Sequence, residues 1–207
     1  MSKLYERIQM IASPSLNNIR AAWEEESAIR RVHSSSICIK HGLLQFKVLH
    51  RLHLSKSKLA RIYPEVDPTC SRCSQAPATL YHMFWACPKL VQFWSSIFDT
   101  FSYTCKKEIS PAPEIALFGV APAEVVISRA QSDAIAFSSL LVRRLILCNW
   151  KSVRPPTHRH WVGDVMAHLK LEKHLIRGST QKFYNVWQPF LNYCDLQFPA
   201  RDTETTT

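Results

Sequence analysis

Glycine is scarce in this chain, which has only four among 207 residues. Glycine supplies the backbone freedom that tight hairpin turns and phosphate-cradling loops need, so its scarcity favours helices over a hairpin-rich sheet or a nucleotide loop. The Gly-x-Ser-x-Gly and His-Glu-x-x-His motifs of hydrolases and metalloproteases are also missing. The aspartates stand apart, so no adjacent pair is available to hold two Mg²⁺ ions for polymerisation. We therefore expect a helical protein that is not an enzyme.

Long apolar segments are missing as well. The first residues, 1–7, contain no apolar core of a signal peptide, and the most apolar stretch, 138–150, is short and interrupted by Arg143 and Arg144. We expect neither a signal peptide nor a membrane-spanning segment. The seven cysteines are an odd number and mostly stand singly, which favours reduced thiols. These observations predict an intracellular protein, cytoplasmic or nuclear.

The residues that are abundant point to a folded, basic protein. The hydrophobic fraction is 46%, with six tryptophans, which is typical of a globular chain. Lysine and arginine number 26 against 16 acidic residues, a formal charge of +10. Such an excess favours a polyanionic partner, RNA and/or DNA before an anionic membrane. A basic, solvated surface without a ligand is the alternative.

Apolar periodicity and helix-breaking residues divide the chain into five segments. The predicted segments are a weakly ordered lead-in at 1–33, basic helices with a metal knuckle and an aromatic helix at 34–104, a proline-containing loop at 105–126, a helical region at 127–200 and a disordered tail at 201–207. Within them we expect helices over about 37–53, 88–103, 127–151 and 157–173, and a last helix bent or restarted near Pro189. The predicted fold class is all-α, a helical bundle with an embedded Cys3His zinc knuckle.

Basic residues form a stripe on the first strong helix. Serines 34–36 can cap a helix whose apolar positions recur at helical spacing. Three basic residues on this helix share one side, and a short second helix, capped by Ser55, adds three more. The candidate nucleic-acid contacts are Lys40, Lys47, Arg51, Lys56, Lys58 and Arg61.

Three cysteines and one histidine have the spacing Cys70-x₂-Cys73-x₈-His82-x₄-Cys87. Four such ligands fill a tetrahedral Zn²⁺ site and leave no open position for water, which predicts a structural metal site. Three thiolates and Zn²⁺ carry a net charge of −1, which the nearby cations Arg72 and Lys89 can offset. The alternatives are a chance spacing of buried cysteines and a redox Cys-x-x-Cys pair, although the βαβ context of a redox motif is missing. Zinc deaminases need a His-x-Glu upstream of a Pro-Cys-x-x-Cys, and this sequence has neither.

The segments around this tetrad resemble a known family. His50-Arg51-Leu52-His53, the Cys70-x₂-Cys73 pair and Leu80-Tyr81-His82-Met83-Phe84-Trp85-x-Cys87-Pro88 are similar to the C-terminal zinc-binding region of LINE-type (non-LTR) retrotransposon reverse transcriptases, in particular those of vertebrate, fish-like elements. The resemblance extends more weakly through Trp150, Trp161 and Trp187 to about residue 200.

The resemblance implies a zinc ion bound by Cys70, Cys73, His82 and Cys87. It also implies a role in holding template RNA and target DNA during target-primed reverse transcription, with other parts of a reverse transcriptase as further partners. The polymerase and endonuclease modules of that family are missing here, which suggests a truncated copy. We therefore expect a non-catalytic nucleic-acid-binding module. The alternatives are a structural or protein-interaction module and a decayed relic without activity of its own.

Overall fold

The computed structural model describes residues 38–122, 124–175 and 180–198. Of these residues 65% are helical, and they contain no β-strand beyond one isolated bridge between Thr69 and Pro77. The all-α prediction is confirmed. The lead-in at 1–33 and the tail at 201–207 lie outside the described residues, and the division into segments stays a prediction.

Seven α-helices and two short helical turns build the described chain. The helices are α1 (Ile39–Leu49), α2 (Lys56–Leu59), α3 (Val91–Cys105), α4 (Pro113–Phe118), α5 (Arg129–Cys148), α6 (His158–Leu175) and α7 (Thr180–Gln197). A π-helical turn (His82–Ala86) and a 3₁₀ turn (Pro88–Leu90) precede α3. Among the helices described here, none is both long and apolar enough to cross a membrane.

Side-chain caps start several of these helices. The Ser55 hydroxyl accepts a hydrogen bond from the Lys58 backbone N–H at the start of α2, as the sequence predicts. Ser128 and Gln131 form a reciprocal capping box at the start of α5. Such caps satisfy backbone N–H groups that have no partner inside the helix.

Helix α1 is shorter than the predicted 37–53. It ends at Leu49 because Arg51 adopts the left-handed conformation (φ 52°) and the Leu52 backbone N–H returns to the Lys47 carbonyl at 2.8 Å. This Schellman-type ending normally uses glycine, so the sequence gives little sign of it. Arg51 therefore lies beyond the helix and does not continue the stripe of Lys40 and Lys47.

The predicted loop at 105–126 contains the helix α4. Pro113 occupies the first turn of α4, where the missing N–H of proline is harmless. Residues 115–118 are buried, and Gly119 (φ 68°) ends the helix. A Cβ at Gly119 would lie 2.7 Å from the Cα of Ala136, so glycine permits both the left-handed turn and the close approach of α5. Helix α7 continues through Pro189, so of the predicted bend or restart the restart does not occur.

Helix α5 is central and contacts α1, α3, α4, α6 and α7. Its buried side includes Ile135, Leu141 and Ile146, and aromatic residues of the neighbouring helices pack around it. Phe101 on α3, Trp161 on α6 and Phe190 on α7 form a chain of edge-to-face ring contacts. Burial of these large side chains is the main source of stability for the helical part of the molecule.

Two buried polar clusters fix α1 to this body. Arg143, 1% exposed on α5, donates from Nη2 to the Gln45 side-chain oxygen (2.6 Å) and from Nη1 to the Ala116 carbonyl (2.7 Å). Burial lowers the pKa of the Arg143 guanidinium to about 9. In the second cluster His41, 3% exposed, packs its ring 4.9 Å from that of His168 on α6. The orientation of α1, and of its exposed lysines, is thus set by groups inside the protein.

Candidate metal centre and nucleic-acid interface

A tight backbone loop brings Cys70 and Cys73 together. The Cys70 N–H donates to the Ala76 carbonyl (2.9 Å), the Ser74 N–H donates to the Cys70 carbonyl (2.8 Å), and Ser74 adopts a left-handed conformation. The turn also directs the backbone N–H groups of Gln75 and Ala76 at the Cys73 sulfur. The Cys-x₂-Cys segment therefore forms a turn whose backbone donors contact the Cys73 sulfur.

The second pair of side chains comes from the π-helical turn. The Cys87 N–H donates to the His82 carbonyl (3.0 Å), an i to i+5 bond that closes the turn. The Thr79 hydroxyl accepts from the His82 N–H (3.1 Å), so Thr79 starts the turn as the sequence predicts. In an ordinary α-helix residues five apart lie on different sides, since one turn takes 3.6 residues. The wider turn brings His82 and Cys87 to the same side.

The four predicted ligands meet in one place. Their ligand atoms all lie within 4.8 Å of one another, and the four side chains are 9% exposed or less. The Cys73 sulfur lies 3.4 Å from the His82 Nε2. In a tetrahedral site with Zn–S of about 2.3 Å and Zn–N of about 2.0 Å, that edge would measure about 3.5 Å. The group is positioned to hold a metal ion, and its soft sulfur and imidazole donors suit zinc.

The electrostatic surroundings differ from ligand to ligand. At Cys73 burial acts to raise the thiol pKa, but the N–H groups of Gln75 and Ala76 and the neighbouring Cys70 and Cys87 outweigh it, and the pKa is lowered. Burial raises the pKa of the Cys87 thiol to about 11. For His82, burial and then the positive charge of Arg72 lower the pKa, which favours the neutral imidazole that a metal requires.

Arg72 lies between the first two cysteines, and its environment shows whether an anionic metal complex would be compensated here. Its side chain is 3% exposed, and its Nη1 donates to the Met83 carbonyl (2.9 Å). Its Nε and Nη2 are buried with no hydrogen-bond partner among the described residues. A buried cation with spare donors fits a centre whose three thiolates and Zn²⁺ sum to −1. Of the two cations predicted to offset this charge, only Arg72 is buried, whereas Lys89 is exposed.

The six candidate nucleic-acid contacts divide into two groups. Lys40 and Lys47 are exposed on α1, two helical turns apart on one side, and Arg61 is exposed after α2. The other three are partly buried: Arg51, Lys56 and Lys58. The Lys58 ammonium donates to the Arg51 carbonyl (3.4 Å), which joins the end of α1 to α2, and Lys56 lies 4.0 Å from the Asp67 carboxylate. Whether any of them contacts nucleic acid stays a prediction.

Sequence reasoning missed two features of this surface. The Phe46 ring, with Phe46 41% exposed, packs 4.3 Å from the ring of His50 beside the exposed Lys47. The second feature is a charge pattern that could have been found from the sequence: no aspartate or glutamate occurs between Glu26 and Glu65. All six candidate contacts lie in that acid-free stretch. We call the side of α1 and α2 that carries these six candidate contacts the basic surface.

Comparison with known families adds one match. The family model described as zinc-binding in reverse transcriptase matches residues 12–94. The matched range contains all four members of the Cys3His group, the basic surface and the start of α3. This part of the chain is therefore similar to the zinc-binding domain of reverse transcriptases.

Proposed function

We propose that this chain is a zinc-stabilised module that binds nucleic acid and has no catalytic role of its own. In this proposal Cys70, Cys73, His82 and Cys87 are the four ligands of one Zn²⁺. A closed set of four protein ligands leaves no position for a substrate or an activated water, which favours a structural metal. Because the thiols must be reduced to bind zinc, we place the protein inside the cell.

The observation that carries the proposal is the acid-free basic surface. Residues 38–64 contain six lysines and arginines and no carboxylate, and Lys56 lies near a carboxylate outside this stretch, that of Asp67. Lys40 and Lys47 project from a helix that buried contacts of Gln45 and His41 hold against the body. A fixed row of cations suits the phosphate backbone of a nucleic acid, where each contact releases counterions. We propose RNA and/or DNA as the partner.

The wider context follows from the family resemblance. We propose a LINE-type element, with this chain holding template RNA or target DNA during target-primed reverse transcription, on the motif block around His82. The match to the reverse-transcriptase zinc-binding domain supports the reverse-transcriptase context but not the type of element. Other parts of a reverse transcriptase are the further partners in this proposal.

The test is salt-dependent binding of a labelled single-stranded RNA and of a DNA duplex to the zinc-loaded protein. The double variant Lys40→Gln/Lys47→Gln is compared with Lys170→Gln, an exposed lysine on α6. If the two lysines contact phosphates, the slope of log K against log salt falls by about 1.4 for single strands, since each contact contributes about 0.7. The Lys170→Gln control leaves nearly all of the slope. Binding that is absent, or unaffected by salt, would overturn the proposal.

A second function is favoured by the apolar part of the same helix. Ile39 and Leu43 are 88% and 50% exposed and lie one turn apart, next to the partly exposed Phe46. Exposed apolar residues grouped in this way are typical of protein-interaction surfaces. A module that packs against another part of a reverse transcriptase would show concentration-dependent self-association in isolation. Its Leu43→Gln variant, which adds no charge beside Lys40 and Lys47, would be monomeric with RNA binding unchanged.

A further inference from the structure

Arg72 is a buried cation placed among metal ligands. It follows Cys70 by two residues and precedes Cys73 directly, and its Nη1 bonds to the carbonyl of Met83, the neighbour of His82. The Met83 sulfur in turn lies 3.8 Å from the Cys70 sulfur. Arg72 thus spans the two halves of the cluster, the cysteine loop and the π-helical turn.

The hydrogen bonds of Arg72 account for only part of its guanidinium. Nε and Nη2 are buried without a partner among the described residues, although a buried charge is costly unless it is paired and hydrogen-bonded. Arg143, the other buried arginine among the described residues, also leaves its Nε without a partner, but it places both of its Nη atoms on neutral oxygens of Gln45 and Ala116. Arg72 has one such oxygen. The unpartnered Nη2 of Arg72 indicates that a negative group belongs beside it, at the Cys3His cluster.

We propose that Arg72 is the counter-charge of the metal centre and sets its affinity for zinc. When Zn²⁺ binds, three thiols release their protons to solvent and the three thiolates, the neutral imidazole and the ion form a complex of charge −1. The Arg72 guanidinium neutralises that complex, and its unused N–H groups are donors for thiolate sulfur. This inference rests on the proposed zinc site. It adds an outer residue that stabilises the centre without binding the metal.

The first experiment measures zinc affinity by competition with a chromophoric chelator. Arg72→Met, which keeps the unbranched stem of the side chain but removes the guanidinium and its charge, should weaken zinc binding by about 10- to 100-fold, the usual cost of removing an outer-shell partner. Arg72→Lys keeps the charge and should retain most of the affinity. Lys89→Gln is the matched control, because it removes an exposed cation close to Cys87 and should bind zinc as the unmodified chain does.

The second experiment separates a counter-charge from an ordinary structural residue. Melting temperatures are measured with zinc and after chelation. If Arg72 serves the metal, Arg72→Met lowers the melting temperature of the zinc form but not of the chelated form, in which there is no anionic complex for the guanidinium to neutralise. Arg143→Met should lower both, since its partners are neutral protein groups.

Two results would overturn the inference, and they have different consequences. Equal zinc affinity of Arg72→Met and the unmodified chain would remove the role of Arg72 and leave the zinc site intact. Failure of the unmodified chain to bind zinc stoichiometrically would remove both. Equal destabilisation of the zinc and chelated forms by Arg72→Met would show that the arginine is structural only.

Discussion

The metal-site region (38–90) and the helical body (91–198) are stabilised in different ways. The metal-site region has one α-helix of 11 residues and one of 4, joined by turns, and its buried side chains include Cys70, Cys87, His82 and Arg72. The helical body has four helices of 15 to 20 residues around a core that is mainly aliphatic and aromatic. Short, turn-rich segments bury little apolar surface among themselves, so a metal cross-link would contribute more to the first region than to the second.

The two regions share one apolar core, to which the metal-site region contributes Phe84 and Leu90, and specific contacts join them as well. The Trp94 indole of α3 donates to the Phe84 carbonyl of the π-helical turn at 2.9 Å, and Gln45 of α1 is held by Arg143 of α5. Both contacts are hydrogen bonds between buried groups, which are costly to leave half made. The body therefore orients the metal-site region, whereas the metal would give that region its internal stability.

The largest expected effect is that of metal removal. Chelation of the zinc-loaded protein, or the substitution Cys87→Ser, should abolish protection from hydrogen exchange in residues 38–90, because structural zinc contributes about 10 kcal/mol or more in small zinc domains. The helices of the body should keep most of their protection. Hydrogen exchange resolved by peptide, with far-UV circular dichroism, measures both. Uniform loss across the chain, or no loss anywhere, would contradict the division into two regions.

Breaking the contact between the regions should have the next largest effect. Arg143→Met leaves Gln45 and the Ala116 carbonyl without their donor and should lower the free energy of unfolding by about 2–6 kcal/mol, because each buried acceptor left unsatisfied costs about 1–3 kcal/mol. Denaturant unfolding measures this value. The double variant Arg143→Met/Gln45→Leu should recover part of the loss, since both polar partners are then removed. Additive effects of the two substitutions would argue against direct coupling.

Acid should weaken a second contact between the two regions, that of His41 on α1 with His168 on α6. Burial, then the positive charges of His168 and Arg144, lower the pKa of His41 from 6.5 to about 4, and the Asp164 carboxylate only partly opposes them. The unfolded chain therefore takes up a proton at higher pH than the folded chain. Stability should fall as the pH decreases from about 6.5 to 4, by an amount on the order of 3 kcal/mol from this residue.

The measurement is the difference in unfolding free energy between the unmodified chain and His41→Gln at each pH, which cancels the effect of acid on the metal ligands. That difference should shrink toward pH 4. His160→Gln, an exposed histidine on α6, is the control and should show a flat difference. A flat difference for His41→Gln as well would mean that α1 does not depend on a neutral His41.

Within the helical body, Gly119→Ala should be the mildest of these changes. The added Cβ would approach the Ala136 backbone to 2.7 Å, and alanine would take on a positive φ. We expect a loss of about 1–3 kcal/mol, the range for strained backbone positions. Zinc affinity should stay unchanged, because Gly119 lies in the body. Thermal unfolding and chelator competition on the same variant test both expectations. A change in zinc affinity would contradict the division into two regions.

Local sequence signals predicted much of the fold. The long helices α3, α5 and α6 begin and end within a few residues of the predicted bounds, because their apolar spacing, and for α5 also the capping box, lies within each segment. The four members of the metal group were also predicted, since ligand type and spacing are local properties. The end of α1 was not, because Arg51 replaces the expected glycine at a left-handed position.

Other features depend on residues far apart in the chain. Arg143 and Gln45 are 98 positions apart, and no local pattern links them. The interruption of an apolar helix by Arg143 is visible in the sequence, but its burial against α1 and α4 is not. Helix α4 was not predicted, because the prolines around it indicated a loop. Its burial under α5 nevertheless makes it part of the core. The role of the basic residues stays a prediction, because exposure and charge do not identify a partner.

The π-helical turn contains a tryptophan, Trp85, whose fluorescence depends on the conformation of the turn. Trp85 belongs to the turn that carries His82 and Cys87, and its ring lies 5.4 Å from that of Trp94 and 6.1 Å from that of Phe98. A turn of this width is seldom stable by itself. If loss of zinc lets it unwind, Trp85 leaves the aromatic cluster. The fluorescence of the chain would then report zinc occupancy without any attached dye.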